Sequence, residues 1–170
     1  MAIYFVFQLI LILTMTFDNH VPPTEQKPEL LLYNQDTFFL YGDYRDQFPL
    51  GGLFLEKAYK EKFDNLIDTT CWSSGCAREF KGVWSIFKNR LYLKELQYCC
   101  RDRLIPLQKV FKKGKIKKRG VKAFWVTKEL SVSDRYSSFY DYYFLDSIDI
   151  KWYDIKVEKG KVEYFKEEKE

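Results

Sequence analysis

The sequence predicts a single α+β domain, predominantly antiparallel β-sheet with one principal helix. Three observations carry that expectation. The 170-residue chain is 46% hydrophobic and 19% aromatic, which is enough to bury a core and too apolar for intrinsic disorder. Its 13 Tyr and 15 Phe favour strands, because aromatic rings suit a pleated, half-buried surface. Most apolar runs are short and end at turn residues, whereas residues 53–66 alone space Leu53, Ala58, Phe63 and Leu66 loosely along one side, as a helix does.

Taken in order, residues 1–17 (MAIYFVFQLILILTMTF) are uncharged and mostly apolar. A membrane span needs about 20 such residues, so this run is short for one. It fits a signal peptide in length, although no Lys or Arg precedes it and no small-x-small cleavage site follows. We read it as a signal-like or anchoring segment, which makes the protein exported or membrane-associated. If these residues were folded core, the expectation would be cytoplasmic. Residues 18–29 (DNHVPPTEQKPE) are polar and proline-bearing and read as a linker. The single domain is expected over 30–165, followed by a charged tail at 166–170.

Within the domain, 30–33 and 37–41 read as a strand pair turning at Asn34-Gln35-Asp36. Phe48-Pro49-Leu50-Gly51-Gly52 breaks the chain ahead of the helix. From Lys81 onward the pattern is β. Strands at 82–87 and 91–98 flank Lys88-Asn89-Arg90, where Asn89 tolerates the positive φ of a tight hairpin. Further strands are expected at 121–127 and 130–132. A closing hairpin, 148–157 with 161–165, turns at Glu158-Lys159-Gly160.

The four cysteines are Cys71, Cys76, Cys99 and Cys100. In an exported chain they imply two disulfides with three connectivities. A bridge between adjacent Cys99 and Cys100 is strained. Pairing Cys71 and Cys76 each with one of them is more ordinary. Free buried thiols and a metal or redox role are the alternatives, but Cys-x4-Cys with Cys-Cys is not a zinc spacing. No metal and no cofactor are expected. His20 is the sole histidine and lies in the linker. Ser-His-Asp and Cys-His catalysis, His-based zinc sites and a histidine pH switch therefore lose their central residue. No catalytic residue is assigned.

Candidate binding residues come from the aromatic-cationic run. Arg78, beside Trp72, Phe80 and Trp84, can stack on an aromatic face. Trp84, Trp125 and Trp152 lie on expected strands and fit a core. Net charge is only +4, but eight basic residues fall between 109 and 122, including Lys112, Lys113, Lys115, Lys117, Lys118 and Arg119. That loop could hold phosphates or an anionic membrane surface. The blander reading is a solvated hairpin turn. Asp134, Asp141, Asp146, Asp149 and Asp154 match no calcium loop and fit surface turns.

Arg78-x-Phe80-x-Gly82-x-Trp84-x-Ile86 followed by Leu91-Tyr92-Leu93 resembles a run, R-G-Y-x-A-x-W-x-I…L-Y-L, of a family of small bacterial proteins with no assigned activity. The stretch 123–132 (AFWVTKELSV) is similar to that family's A-x-W-[FV]-[ST]-G-x-L-x-[IV]. The likeness covers about residues 30–165 and implies a shared fold unit, with no reaction. Glu79 and Lys128 stand where the family's motifs have glycine.

These observations together lead us to expect a non-enzymatic protein-binding domain, an immunity-like or envelope partner protein. The expected partner is another protein, with nucleic acid disfavoured and membrane tethering through residues 1–17. An aromatic surplus suits interfaces. The alternatives are a carboxylate-dependent enzyme, such as a glycan hydrolase using the C-terminal aspartates, and attachment to a membrane surface or nucleic acid through loop 109–122.

Overall fold

The structure, a computed structural model, describes residues 26–42, 48–71, 73–136 and 150–168. The apolar segment 1–17, Trp72, Asp141, Asp146 and Asp149 lie outside the described residues.

Three tight hairpins supply six of the strands. Strand β1 (Glu29–Tyr33) turns into β2 (Asp36–Leu40) through Asn34 and Gln35. Strand β3 (Phe80–Phe87) turns into β4 (Arg90–Tyr98) through Lys88 and Asn89. Strand β9 (Trp152–Glu158) turns into β10 (Lys161–Glu167) through Lys159 and Gly160. All six turn residues have positive φ, the condition a type I′ turn sets if two twisted strands are to continue without splaying. Two-residue strands β5 (Leu104–Ile105) and β6 (Ile116–Lys117), then β7 (Gly120–Lys122) and β8 (Lys128–Ser133), complete the set. The strand expected at 121–127 stops after Lys122, because Ala123–Val126 closes a turn with the Val126 N–H donating to the Ala123 carbonyl at 3.0 Å.

Seven of these strands close on themselves in the order β10-β9-β8-β2-β1-β3-β4, with β4 returning to β10 at Arg90 and Lys161. Two further bonds secure the seam: the Leu91 N–H donates to the Gly160 carbonyl (2.9 Å) and the Val162 N–H to the Asn89 carbonyl (3.0 Å). All neighbours are antiparallel except β1 and β3, which run parallel from Leu30↔Val83 to Leu32↔Ser85. Closure removes the exposed edges that an open sheet would present.

The α+β expectation is thereby corrected: the fold is a closed, mostly β barrel with two small helices. The stretch 53–66 is not one helix. It forms α1 (Gly51–Phe54) and α2 (Lys57–Asp64), separated by Glu56, whose φ of −86° and ψ of 113° are extended. The apolar spacing that suggested one face is mostly unused, since Leu53 and Phe63 are buried but Ala58 is exposed. Helix α2 carries Lys or Glu at four of its eight positions, so it can only cover the barrel rather than core it.

The core centres on Trp84, fully buried among Leu31, Leu40, Leu93 and Val132. Phe63 packs at a tilt against both Phe54 and Phe80, with ring centroids 4.7 and 5.1 Å apart. Gly82 makes room for the indole: a Cβ there would lie 2.5 Å from Trp84 Nε1. The two disulfides are Cys71–Cys100 and Cys76–Cys99, with Cα–Cα distances of 6.1 and 5.5 Å. Each expected partner is matched across the hairpin, and the bridges staple the loop before β3 to the end of β4. Closing loops of this size typically adds about 2–4 kcal/mol.

Replacing Trp84 by alanine should therefore cost about 3–5 kcal/mol, read as a lower denaturant midpoint in equilibrium unfolding. A loss below about 1 kcal/mol, the range of surface changes, would place the ring outside the core.

Candidate functional site

A groove of about 560 Å³ opens where the barrel seam gives way to a side flap. Its floor is Tyr92 on β4 with Val121 and Lys122 on β7. Its walls are Glu56 and Tyr59 from the α2 side, Gly114, Lys115 and Lys117 from the basic connection, and Phe124 and Trp125 from the turn after β7.

The flap exists because β7 can lie close against β4. Tyr92↔Lys122 and Leu93↔Val121 pair the two strands. Gly120 enters this pairing at φ 103°, a conformation that favours glycine, and a Cβ there would sit 2.1 Å from the Leu93 carbonyl oxygen. Strand β6 folds back on β7 through the turn Lys118-Arg119. Only the second half of the basic run, 116–122, is thus a hairpin; 3-10 turns at Leu107–Lys109 and Lys113–Lys115 precede it, and the run borders a groove.

Trp125 is fixed before any ligand arrives. Its Nε1 donates to the Pro49 carbonyl at 2.9 Å, and its ring stacks on buried Phe111 at 5.6 Å and 21°. Phe124, by contrast, is 60% exposed, with Lys122 Nζ 4.6 Å from its ring centre. Leu55, beside Glu56, is 88% exposed. Lys115 Nζ donates to the Tyr59 hydroxyl at 3.0 Å, and this bond, helped by the nearby Glu56 charge, raises the Lys115 pKa above its usual value. Lys117 stands on the rim. The site can offer ammonium groups to an anion and ring faces to an apolar group together.

The other expected site residues are distributed differently. Arg78, Phe80 and Trp84 are buried, at 3%, 2% and 0% exposure. Arg78 does stack on a ring, but that ring is Phe48 at 3.5 Å, and its Nη2 donates to the Lys27 carbonyl. Of the aromatic candidates, Trp125 alone among the described residues reaches the groove. Within the basic loop, Lys115 and Lys117 line it, Lys112, Lys113 and Lys118 are exposed, and Arg119 lies over the Phe87 ring at 3.6 Å. Cys71, Cys76 and Cys100 border a separate 300 Å³ hollow beside the disulfides. Asp134 accepts from the Lys151 N–H (3.1 Å), and Asp154 lies 3.8 Å from Lys166 Nζ, so both serve local pairing. Among the described residues no cluster of three or more His, Cys, Asp or Glu could hold a metal. Sequence reasoning missed Glu56, Tyr59, Tyr92 and Phe124. Only Phe124, next to Trp125 and just past the basic run, carried a local signal.

Arg78 belongs to a buried charge pair. Glu29, at 0% exposure, accepts from Trp84 Nε1 and from the Gly82 N–H. Burial raises its pKa above the ordinary 4.5, and the opposing pull of the Arg78 charge does not cancel this. Burial likewise lowers the Arg78 pKa, which Glu29 partly restores. One Glu29 oxygen and two Arg78 nitrogens, Nε and Nη1, have no hydrogen-bond partner among the described residues. Glu79, where the family run has glycine, sits at φ 67°.

No family model, no curated protein and no solved structure matches the chain. No helix among the described residues is long and apolar enough to cross a membrane.

The buried acid sets a pH dependence. An acid whose folded pKa is raised contributes stability that is complete below 4.5 and is lost as pH rises through the folded value. Unfolding free energy of the wild type should therefore fall more steeply between acid and neutral pH than that of Glu29→Gln, which keeps an acceptor for Trp84 without the charge. Parallel pH profiles would show that Glu29 has the same pKa folded and unfolded.

Proposed function

We propose that this protein is a non-enzymatic binding domain, working in an exported, oxidising setting, that holds another protein in the groove between β7 and α2. The groove itself carries the reading: a fixed Trp125 face, an exposed Phe124 and lysine ammoniums gathered around one opening. Exposed aromatic anchors with a polar rim are the composition of protein recognition sites. Anchoring Trp125 in advance also lowers the ordering cost of association.

Two disulfides support the setting, since such bonds persist in oxidising compartments. An immunity-like or envelope partner role fits that setting. The groove speaks less for hydrolysis, because among the described residues Glu56 is the acid that lines it and glycan cleavage needs a pair of carboxylates. It also speaks less for simple electrostatic attachment, because Lys115 is tied to Tyr59 and Arg119 to Phe87.

The test is recovery of the tagged full-length chain from its host, with thiols blocked at lysis and washes at low and moderate salt. A stoichiometric protein partner should survive the moderate wash and fall at least about tenfold for Phe124→Ser, as loss of an interface anchor does. Recovery only of lipid or nucleic acid that leaves with salt would contradict a protein-binding role.

A further inference from the structure

Resting on that reading, we infer that the segment held in the groove is an acidic, extended stretch of the partner in which carboxylates accompany an aromatic or branched aliphatic side chain. Charge bookkeeping at the lining gives the sign. Lys115, Lys117 and Lys122 face a single acid, Glu56. Lys115 is already committed, through its bond to Tyr59 at 3.0 Å and the Glu56 charge. Lys117 and Lys122 have no ion-pair partner among the described residues. Two ammoniums at one opening favour a ligand that brings carboxylates of its own.

The rings give the second requirement. The same lining includes Tyr92, Phe124 and Trp125, which an isolated anion would leave uncovered. A side chain with a ring or branched apolar body covers them and gains by doing so. The available 560 Å³ suits one such residue with its neighbours, in the range of ordinary ligand sites. No arginine lines the groove among the described residues. Recognition of phosphates and bases commonly uses the planar guanidinium fork, and the nearest arginine of this run, Arg119, is laid on Phe87.

The sheet gives the conformation. Strand β6, which carries Lys117, is the last in the sheet order and pairs only with β7 among the described residues. Its outer edge can take up an extended segment, whose backbone supplies affinity while alternate side chains enter the groove.

Gly114 supplies a clean test. A Cβ at this position meets nothing within 4 Å, and its backbone is not left-handed. Gly114→Trp should therefore leave the melting temperature unchanged while filling the groove. The probe is a blocked, dye-labelled acidic peptide with one central Phe among glutamates, titrated into the full chain at low salt. Binding should saturate below about 1 mM. It should weaken at least about tenfold in Gly114→Trp and in Lys117→Glu/Lys122→Glu, and at least about fivefold when the peptide Phe becomes Ala, a change worth roughly one hydrophobic contact.

Several results would overturn the inference: no saturable binding, equal binding by the variants, indifference to the Phe, or preference for phosphatidylglycerol vesicles or a single-stranded oligonucleotide. The host partner separates the two levels. If it is still recovered with Gly114→Trp, the groove inference falls and the binding role stands. If no protein is recovered at all, the binding role falls with it.

Discussion

The outer edge of β4 is shared among three partners, and most of the architecture follows from that division. One side of β4 is taken by β3 along its length. The other side pairs with β10 at Arg90, with β7 at Tyr92 and Leu93, and with β5 at Leu96 and Gln97. A strand edge has one row of donors and acceptors, so each partner excludes the others. The barrel can therefore close only at the start of β4. Beyond that point the edge is ceded to the β6–β7 flap, and the groove forms where closure ends and the flap begins.

The interior has to make that seam rigid. Trp84 fills the barrel beside β1, and its N–H reaches Glu29 at the head of that strand. A buried carboxylate is costly unless it is hydrogen-bonded or neutral. Here the Trp84 and Gly82 donors answer one cost while burial shifts the acid towards its neutral form. This polar tie also fits the β1–β3 junction, the parallel pairing in the barrel, by fixing which residue of β1 lies against Trp84. The disulfides do similar work outside the barrel, holding the loop before β3 to the end of β4. Trp125 carries interior order outward, since it packs on Phe111 within the core and shows its other face to the groove.

What the sequence made legible was local. Asn34, Asn89 and Lys159-Gly160 marked turns because a tight hairpin demands positive φ and few residues accept it. That Cys71 and Cys76 would each take one of the adjacent pair was legible, because adjacent cysteines bridge each other poorly, but which takes which is set by the fold. What failed was long-range or depended on geometry. The apolar spacing of 53–66 resembles a helix in projection, yet Glu56 takes extended backbone and two short pieces result. Barrel closure depends on Arg90 meeting Lys161, far along the chain, a pairing that leaves no mark on either strand. Glu29 sat at the end of a polar, proline-bearing run, and only the fold puts it beneath an indole. The groove was half legible: the lysines and Trp125 stood out, but Tyr59 and Tyr92 join them only in space. Charge clusters read along a chain cannot show which lysines are already occupied, as Lys115 is.

A photo-crosslinking residue at position 114 in the full-length chain, expressed in its host, tests most directly whether the groove is the working face. The expected result is one discrete protein adduct from position 114 and none from position 156, an exposed site on β9. Equal adducts from both positions, or an adduct from 156 alone, would contradict a groove built at the β4 seam for a protein partner.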